Sequence, residues 1–299
     1  MKLNTEFFFE KIFLQKIIAR WLDEKKVSLH ILRLDAMHEI ISGNKWFKLK
    51  HFIDHAIKNN FETVATFGGA YSNHIIATAY ACKLSALKSI GIIRGEEPEK
   101  LSHTLINAQN LGMKLFFVKR EDYKNFNKNI FQNAFWIEEG GYGIKGVEGA
   151  HEILQLLKDK NIYSHIICAV GTGTTLAGII KAANPQQQMI GISVMKNNIS
   201  LENEVAALLN ENDQQKKFTV IHDYHFGGYA KHTKELLSFM NETWQQHQLP
   251  TDFVYTAKTF FAIKNMVEAE KISRGSNILM IHTGGLQGNL SLPSGTLQF

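Results

Sequence analysis

Short apolar, β-branched runs alternate with longer helix-period segments along most of this 299-residue chain. The pattern predicts strands over Leu29–Leu34, Thr63–Phe67, Ser89–Ile93, Lys114–Val118, His165–Val170, Met189–Val194, Thr219–His222 and Asn277–His282. It predicts helices over Trp46–Ile57, Asn73–Leu84, Leu101–Asn110, Val147–Leu157, Thr174–Ala183, Lys231–Gln246 and Lys258–Lys271. Strand–helix alternation of this kind buries helices on the faces of mostly parallel sheets, so the expected class is α/β. The length allows two domains. One stretch, Glu138–Gly149, packs five glycines into twelve residues and follows four strand–helix units. It reads as a crossing between domains or a cleft lining, with a plain surface loop as the other reading.

Composition narrows the partners. The net charge of +5 is spread along the chain, and its densest group, Lys45, Lys48 and Lys50, is interleaved with Trp46, Phe47 and Leu49. That spacing reads as one helix with an apolar and a basic face, not as a nucleic-acid patch. No run approaches the ~20 apolar residues of a membrane span. The N-terminal MKLNTEFFFEKIFLQK places Glu6, Glu10 and Lys11 among its apolar residues, so it lacks a signal-peptide core. A cytoplasmic protein is expected. Cys82 and Cys168 each sit in an apolar run without a partner at metal-ligand spacing; they read as buried free thiols, and no metal site is expected.

Ligands of parallel sheets bind beyond the carboxyl ends of the strands, so the loops leaving strands carry the chemistry. In Ser42-Gly43-Asn44-Lys45 a lysine stands at a helix start, where the dipole disfavours a cation. It is either a solvated surface lysine or an amine whose pKa is lowered for Schiff-base chemistry. The turn Gly68-Gly69-Ala70-Tyr71-Ser72-Asn73-His74 brings a hydroxyl and an amide to the next helix start, as a helix cap or as ligand contacts. After the strand at His165–Val170, Gly171-Thr172-Gly173-Thr174-Thr175 offers backbone N–H groups, hydroxyls and a helix N-terminus, a phosphate cup in mechanism. It carries neither a Walker lysine nor the GxGxxG spacing of a dinucleotide site, which points to a phosphorylated cofactor. His282-Thr283-Gly284-Gly285 forms a further glycine turn at a strand end, and Tyr255-Thr256 leads into a helix.

The segments SGNKWFKL, TFGGAYSNH, GTGTTLAG, VYTAKT and HTGG stand here in order between about Leu34 and Gly285. In this the chain resembles the 1-aminocyclopropane-1-carboxylate (ACC) deaminase / D-cysteine desulfhydrase family of pyridoxal-phosphate (PLP) enzymes. The resemblance implies a two-domain, tryptophan-synthase-β-like fold (PLP fold type II) with PLP in the interdomain cleft. It assigns 1–48 and 144–299 to a larger domain and 49–143 to a smaller inserted one. Lys45 would be the Schiff-base lysine, and Asn73 the partner of the cofactor's phenolic oxygen. Gly171, Thr172, Gly173, Thr174 and Thr175 would hold the phosphate, and Thr256 would face the pyridine nitrogen. Ser72 and Tyr255 would act on the substrate. Ser72, Asn73, His74, Tyr142, Thr283 and Gly284 would contact it, its carboxylate docking on the helix start at Ser72–His74.

Thr256 separates the branches. ACC deaminases usually carry glutamate there, which keeps the pyridine nitrogen protonated and strengthens the electron sink. A threonine is still adequate for losing a good leaving group such as thiolate. The expected activity is therefore a D-cysteine-type α,β-elimination giving a 2-oxo acid and ammonia. ACC deamination is the alternative, and a non-catalytic binding protein on a decayed scaffold the reading of another class. Family relatives are often dimers, and a homodimer is expected by the same resemblance.

Overall fold

The structure is a computed structural model and describes residues 9–299; the N-terminal reading falls partly outside them. In chain order the strands and helices that place the site are β1 (Leu14–Ile17), α1 (Arg20–Lys25), β2 (Ser28–Arg33), α2 (Asn44–Lys58), β3 (Thr63–Gly68), α3 (Asn73–Leu84), β4 (Lys88–Arg94), α4 (His103–Asn110), β5 (Met113–Val118) and β6 (Ala134–Ile137). There follow α5 (Ile144–His151), β7 (His165–Val170), α6 (Thr174–Ala182), β8 (Gln188–Ser193), α7 (Leu201–Ala206), α8 (Glu211–Gln214), β9 (Phe218–Ile221), α9 (Lys234–His247), α10 (Thr256–Glu268) and β10 (Asn277–His282).

Two sheets result. One has the order β1-β2-β10-β7-β8-β9 and is parallel except for the β1–β2 pair. The other has the order β5-β4-β3-β6 and is wholly parallel. Strands covered on both faces read as continuous apolar runs. In β10, Leu279 and Ile281 join the core that faces α2, α5 and α6, while Ile278 and Met280 join the core under α10. The first of these cores also contains Val64 and Ile137 of the four-stranded sheet, so the two sheets share one apolar interior.

Eight predicted strands match observed ones to within a residue or so at each end. Strands β1 and β6 escaped prediction: both are four-residue edge strands like β9, but LQKI and AFWI hold one β-branched residue each where FTVI holds three. The first part of Glu138–Gly149 lines a cleft at Glu139 and Gly140, as one of its readings expects, whereas its second half is the helix α5, followed by a 3-10 turn over Glu152–Leu156. Gly149 serves close helix packing, because a Cβ there would lie 1.7 Å from the carbonyl oxygen of Phe47 in α2. The boundary expected at 48/49 falls inside α2. Among the described residues, no helix is long and apolar enough to cross a membrane, and no group of three or more His, Cys, Asp or Glu could hold a metal.

Candidate active site

The carboxyl ends of β3, β7 and β10 open on one cleft of about 670 Å³. Helix α2 enters it directly after Gly43, whose φ is +67° and whose ideal Cβ would lie 2.0 Å from Thr283 O. Only glycine allows both that backbone and that approach. Asn44 N–H then donates to Thr283 O at 3.3 Å, which ties the helix start to the Thr283–Gly284 turn. Behind this turn, the buried ring of His282 lies 3.1 Å from Asp35 Oδ1 and contacts Pro250 O at 2.8 Å. Asp35 in turn is held by both Nε and Nη2 of Arg33.

Lys45 is the second residue of α2. Its Nζ donates to Asn44 Oδ1 at 3.0 Å, and Asn44 Nδ2 donates to Thr175 Oγ1 at 2.7 Å. The lysine is thereby linked to the glycine-rich loop. Burial brings its pKa down to about 8, against the opposing pull of Asp252. Lys48, one turn further on, does not join Lys50 on an outward basic face: it is buried and lines the cleft. Burial and then Lys45 hold it well below the usual lysine range. Lys50 does turn away and pairs with Glu152.

The glycine-rich loop follows β7. Gly173, at φ +79°, immediately precedes α6, whose first-turn N–H groups have no intrahelical acceptors. Thr172 and Thr174 hydroxyls lie 3.3 Å apart. Thr172 and Thr175 line the cleft, whereas Thr174 is fully buried and is not among the lining residues.

Across the cleft, Ser72 caps α3, its Oγ accepting from His74 N at 3.2 Å and Ile75 N at 3.4 Å. The capping reading therefore holds, and the hydroxyl proton stays free to donate. Asn73 Oδ1 accepts from Gln287 Nε2 at 2.7 Å, which leaves its amide nitrogen as the donor. His74 is buried, with Nε2 2.8 Å from Thr66 Oγ1. Thr66 gives its own proton to Ile137 O at 2.8 Å, so His74 must donate through Nε2. Its Nδ1 is then a bare acceptor, without a hydrogen-bond partner among the described residues. Burial, Lys48 and Lys45 hold this ring well below its usual pKa, hence neutral.

Tyr255 completes the wall. Its ring centroid lies 5.8 Å from Lys45 Nζ, and its hydroxyl donates to that of Tyr229 at 3.3 Å. Burial first, then Tyr229, holds its pKa well above the usual tyrosine value, so it remains protonated. Thr256 is placed differently from expectation: it is fully buried and is not among the cleft-lining residues. Its hydroxyl donates to Asp252 Oδ1 at 2.7 Å and accepts Asp252 N–H at 2.8 Å. The buried Asp252 carboxylate also accepts the backbone N–H groups of Val254, Tyr255 and Thr256. Tyr142 does not line the cleft itself but an adjoining depression, which shares Glu139, Gly171, Thr172 and Met195 with it.

The cleft thus gathers Lys45, Ser72, Asn73, His74, the loop from Gly171 to Gly173 with Thr175, Tyr255, Thr283 and Gly284. Sequence reasoning missed Lys48, Tyr229, Asp252 and Gln287. Lys48 was open to discovery, since it stands three residues from Lys45 on one helix. Asp252 was open too, four residues before the start of α10. Tyr229 and Gln287 carry no local signal. Chemically, free N–H groups, two threonine hydroxyls and a lysine can hold a phosphate. Gly171 leaves its face open, with Tyr255 Cε1 3.6 Å from where a Cβ would stand. A depressed-pKa amine beside that cup suits a phosphorylated carbonyl cofactor.

The chain is similar to known proteins over most of its length. A Thermotoga maritima protein, provisionally named a 1-aminocyclopropane-1-carboxylate deaminase, is 29% identical over 91% of this chain and 93% of its own. The Arabidopsis thaliana mitochondrial bifunctional D-cysteine desulfhydrase/1-aminocyclopropane-1-carboxylate deaminase is 28% identical over 87% of this chain and 73% of its own. The crystal structure of an ACC deaminase homologue superposes with a TM-score of 0.80 at 22% identity, covering 93% of this chain and 90% of that one, and shows the same fold. The model of the pyridoxal-phosphate-dependent enzyme family matches residues 21–284, and the chain belongs to that family.

Proposed function

We propose that this PLP enzyme is a lyase of the D-cysteine desulfhydrase type, converting D-cysteine and water to pyruvate, ammonia and sulfide. The cofactor supplies a carbonyl that bonds the substrate amine and a sink for the electrons left at Cα. The chain supplies the rest. Lys45, with a pKa near 8, has a population of free amine at neutral pH, able to carry the cofactor and then to take the Cα proton. The loop from Gly171 to Thr175, with Lys48, is the phosphate cup, and the Asn73 amide donates to the cofactor's phenolic oxygen.

Ser72 keeps a proton to give to the substrate carboxylate, while Thr283 and Gly284 form the opposite wall. His74 presents no free donor, so its part is to shape the site and not to bind the carboxylate. Tyr255, held protonated by burial, would protonate the departing thiolate on turning its hydroxyl from Tyr229 to the substrate. Thr256 would make no direct contact with the cofactor, because its hydroxyl is given to Asp252 and neither residue lines the cleft. Tyr142 is kept as an outer contact only. A cytoplasmic homodimer belongs to the same proposal, each chain carrying a smaller inserted domain built on the β3–β6 sheet and beginning after α2; sedimentation reads the oligomer.

The observation that carries the choice of branch is at Thr256: no carboxylate from this position reaches the cleft, and the nearby acid is committed to three backbone N–H groups and a hydroxyl. D-Cysteine should release sulfide faster than ACC is opened to 2-oxobutanoate. A faster reaction with ACC would replace this reading by ACC deamination. Lys45→Ala should lose the visible absorbance of bound cofactor together with turnover. A colourless wild-type protein that does not take up PLP would favour a decayed scaffold.

A further inference from the structure

Lys258, the third residue of α10, is fully buried and has no part in the reaction proposed above. Its Nζ donates to the carbonyl oxygens of His225 at 2.8 Å and Gly228 at 2.9 Å. Both acceptors lie in the segment between β9 and α9 that carries Tyr229. That segment is conformationally demanding. Phe226 and Ala230 have φ of +49° and +53°, and Gly227 and Gly228 lie at +93° and +119°. Left-handed backbone at non-glycine residues persists only where surrounding contacts enforce it.

Two backbone bonds brace the turn, Gly228 N to His225 O at 3.0 Å and Lys231 N to Gly228 O at 3.2 Å. Their acceptors are the two carbonyls that Lys258 also holds. Phe226 adds an edge contact to Phe261 of the same helix, with ring centroids 5.0 Å apart. The turn ends at Tyr229, which lines the cleft and accepts the hydroxyl proton of Tyr255, three residues before Lys258. One helix start therefore presents Tyr255 and, through Lys258, fixes the loop bearing its partner. A methionine would fill the same space without desolvating a charge. What the lysine adds is the pair of hydrogen bonds to the loop.

We propose that Lys258 is a positioning residue, whose buried ammonium clamps the His225–Gly228 turn onto α10 and so sets the Tyr229 hydroxyl against Tyr255 at the cleft. Burial lowers its pKa to about 8, with Asp252 opposing, so the clamp and Lys45 feel the same buried carboxylate. Only the turnover part of the test rests on the function proposed above.

The test compares holoenzymes of wild type, Lys258→Met, Lys258→Gln, Tyr229→Phe and the Lys258→Met/Tyr229→Phe double variant. Amide hydrogen exchange in residues 224–230 should quicken about tenfold or more in Lys258→Met, with β7 and β10 unchanged. With D-cysteine, kcat should fall about 10- to 100-fold while KM stays within about twofold. The double variant should be no slower than the slower single one, because both substitutions remove the same contact. Unchanged exchange in this segment, or a uniform rise across the molecule, would overturn the proposal. So would losses that multiply in the double variant. If Lys258→Met does not fold, Lys258→Leu, which also lacks a donor, is judged by the same exchange criterion, and Lys258→Gln, which keeps a donor, should quicken exchange less than either. A wild type inert towards D-cysteine counts against the proposed reaction, and local exchange alone then decides the clamp.

Discussion

Gly43 and Gly69 line up similarly in sequence, each in a glycine turn just ahead of a helix, yet their surroundings differ. At Gly43 the φ is +67° and a methyl group would meet Thr283 O at 2.0 Å and Gly284 N at 2.6 Å. At Gly69 the nearest atom to a built Cβ is Arg94 Nη2, 3.7 Å away. Gly43→Ala should therefore destabilise the protein by at least about 2 kcal/mol, and Gly69→Ala by less than about 0.5 kcal/mol. Denaturant titration of the two variants checks this, and Gly43→Ala should also bind PLP more weakly by displacing Lys45. At this scale Lys45 was legible, because its neighbours carry a motif. Lys48 was legible only as the neighbour of Lys45 one turn on, because a lysine on an amphipathic helix looks the same whether it meets water or a cleft. Thr256 was legible as a residue but not as a contact, since the acid that occupies its hydroxyl comes from the preceding turn.

Helices α2, α5 and α6 pack where glycines remove side chains from the contact. A Cβ at Gly149 would lie 1.7 Å from Phe47 O, and one at Gly178 would lie 2.4 Å from Ala150 Cβ. The obstacle at Gly149 is backbone, which cannot rotate aside. Gly149→Ala should force α5 away from α2 and lower stability by about 3 kcal/mol or more, read as a fall in melting temperature with loss of bound cofactor. This explains why the helical second half of Glu138–Gly149 read as part of a turn. Glycine serves turns by allowing positive φ and helices by allowing close approach, and composition does not separate the two uses. The strands read well, because a parallel sheet buried on both faces requires long apolar runs.

Across the whole molecule, burial shifts many titrations in one direction. It lowers His30, His38, His74, His151, His165 and His247, and brings Lys45 and Lys258 to about 8 from an ordinary 10.5. Between the folded and unfolded values of each group the unfolded chain binds more protons, so stability rises with pH. The buried thiols Cys82 and Cys168 are pushed up to about 12 from 9.0, and there the folded protein retains protons that the unfolded chain loses. Their contribution falls as pH rises. The melting temperature of the apoprotein should climb up to about pH 6.5 and again from about pH 8, flatten near pH 9 where the thiols begin to oppose the lysines, and fall above about pH 10.5. A calorimetric series that peaks near pH 6 would contradict these shifts.

The sequence by itself determined the α/β class, the order of strands and helices, and the loops that meet at the cleft. Periodicity and glycine spacing are local properties, and the strand ends on which ligands sit follow from them. Tertiary structure alone decided which side chains face that cleft. It buried Lys48 beside Lys45, turned the Thr256 hydroxyl to Asp252, tied the His74 ring to Thr66, and brought Tyr229 to Tyr255 and Gln287 to Asn73. These pairings, apart from Lys48 with Lys45 and Thr256 with Asp252, join distant parts of the chain or depend on its packing. A hydrogen bond has a direction and a length that only folded coordinates supply.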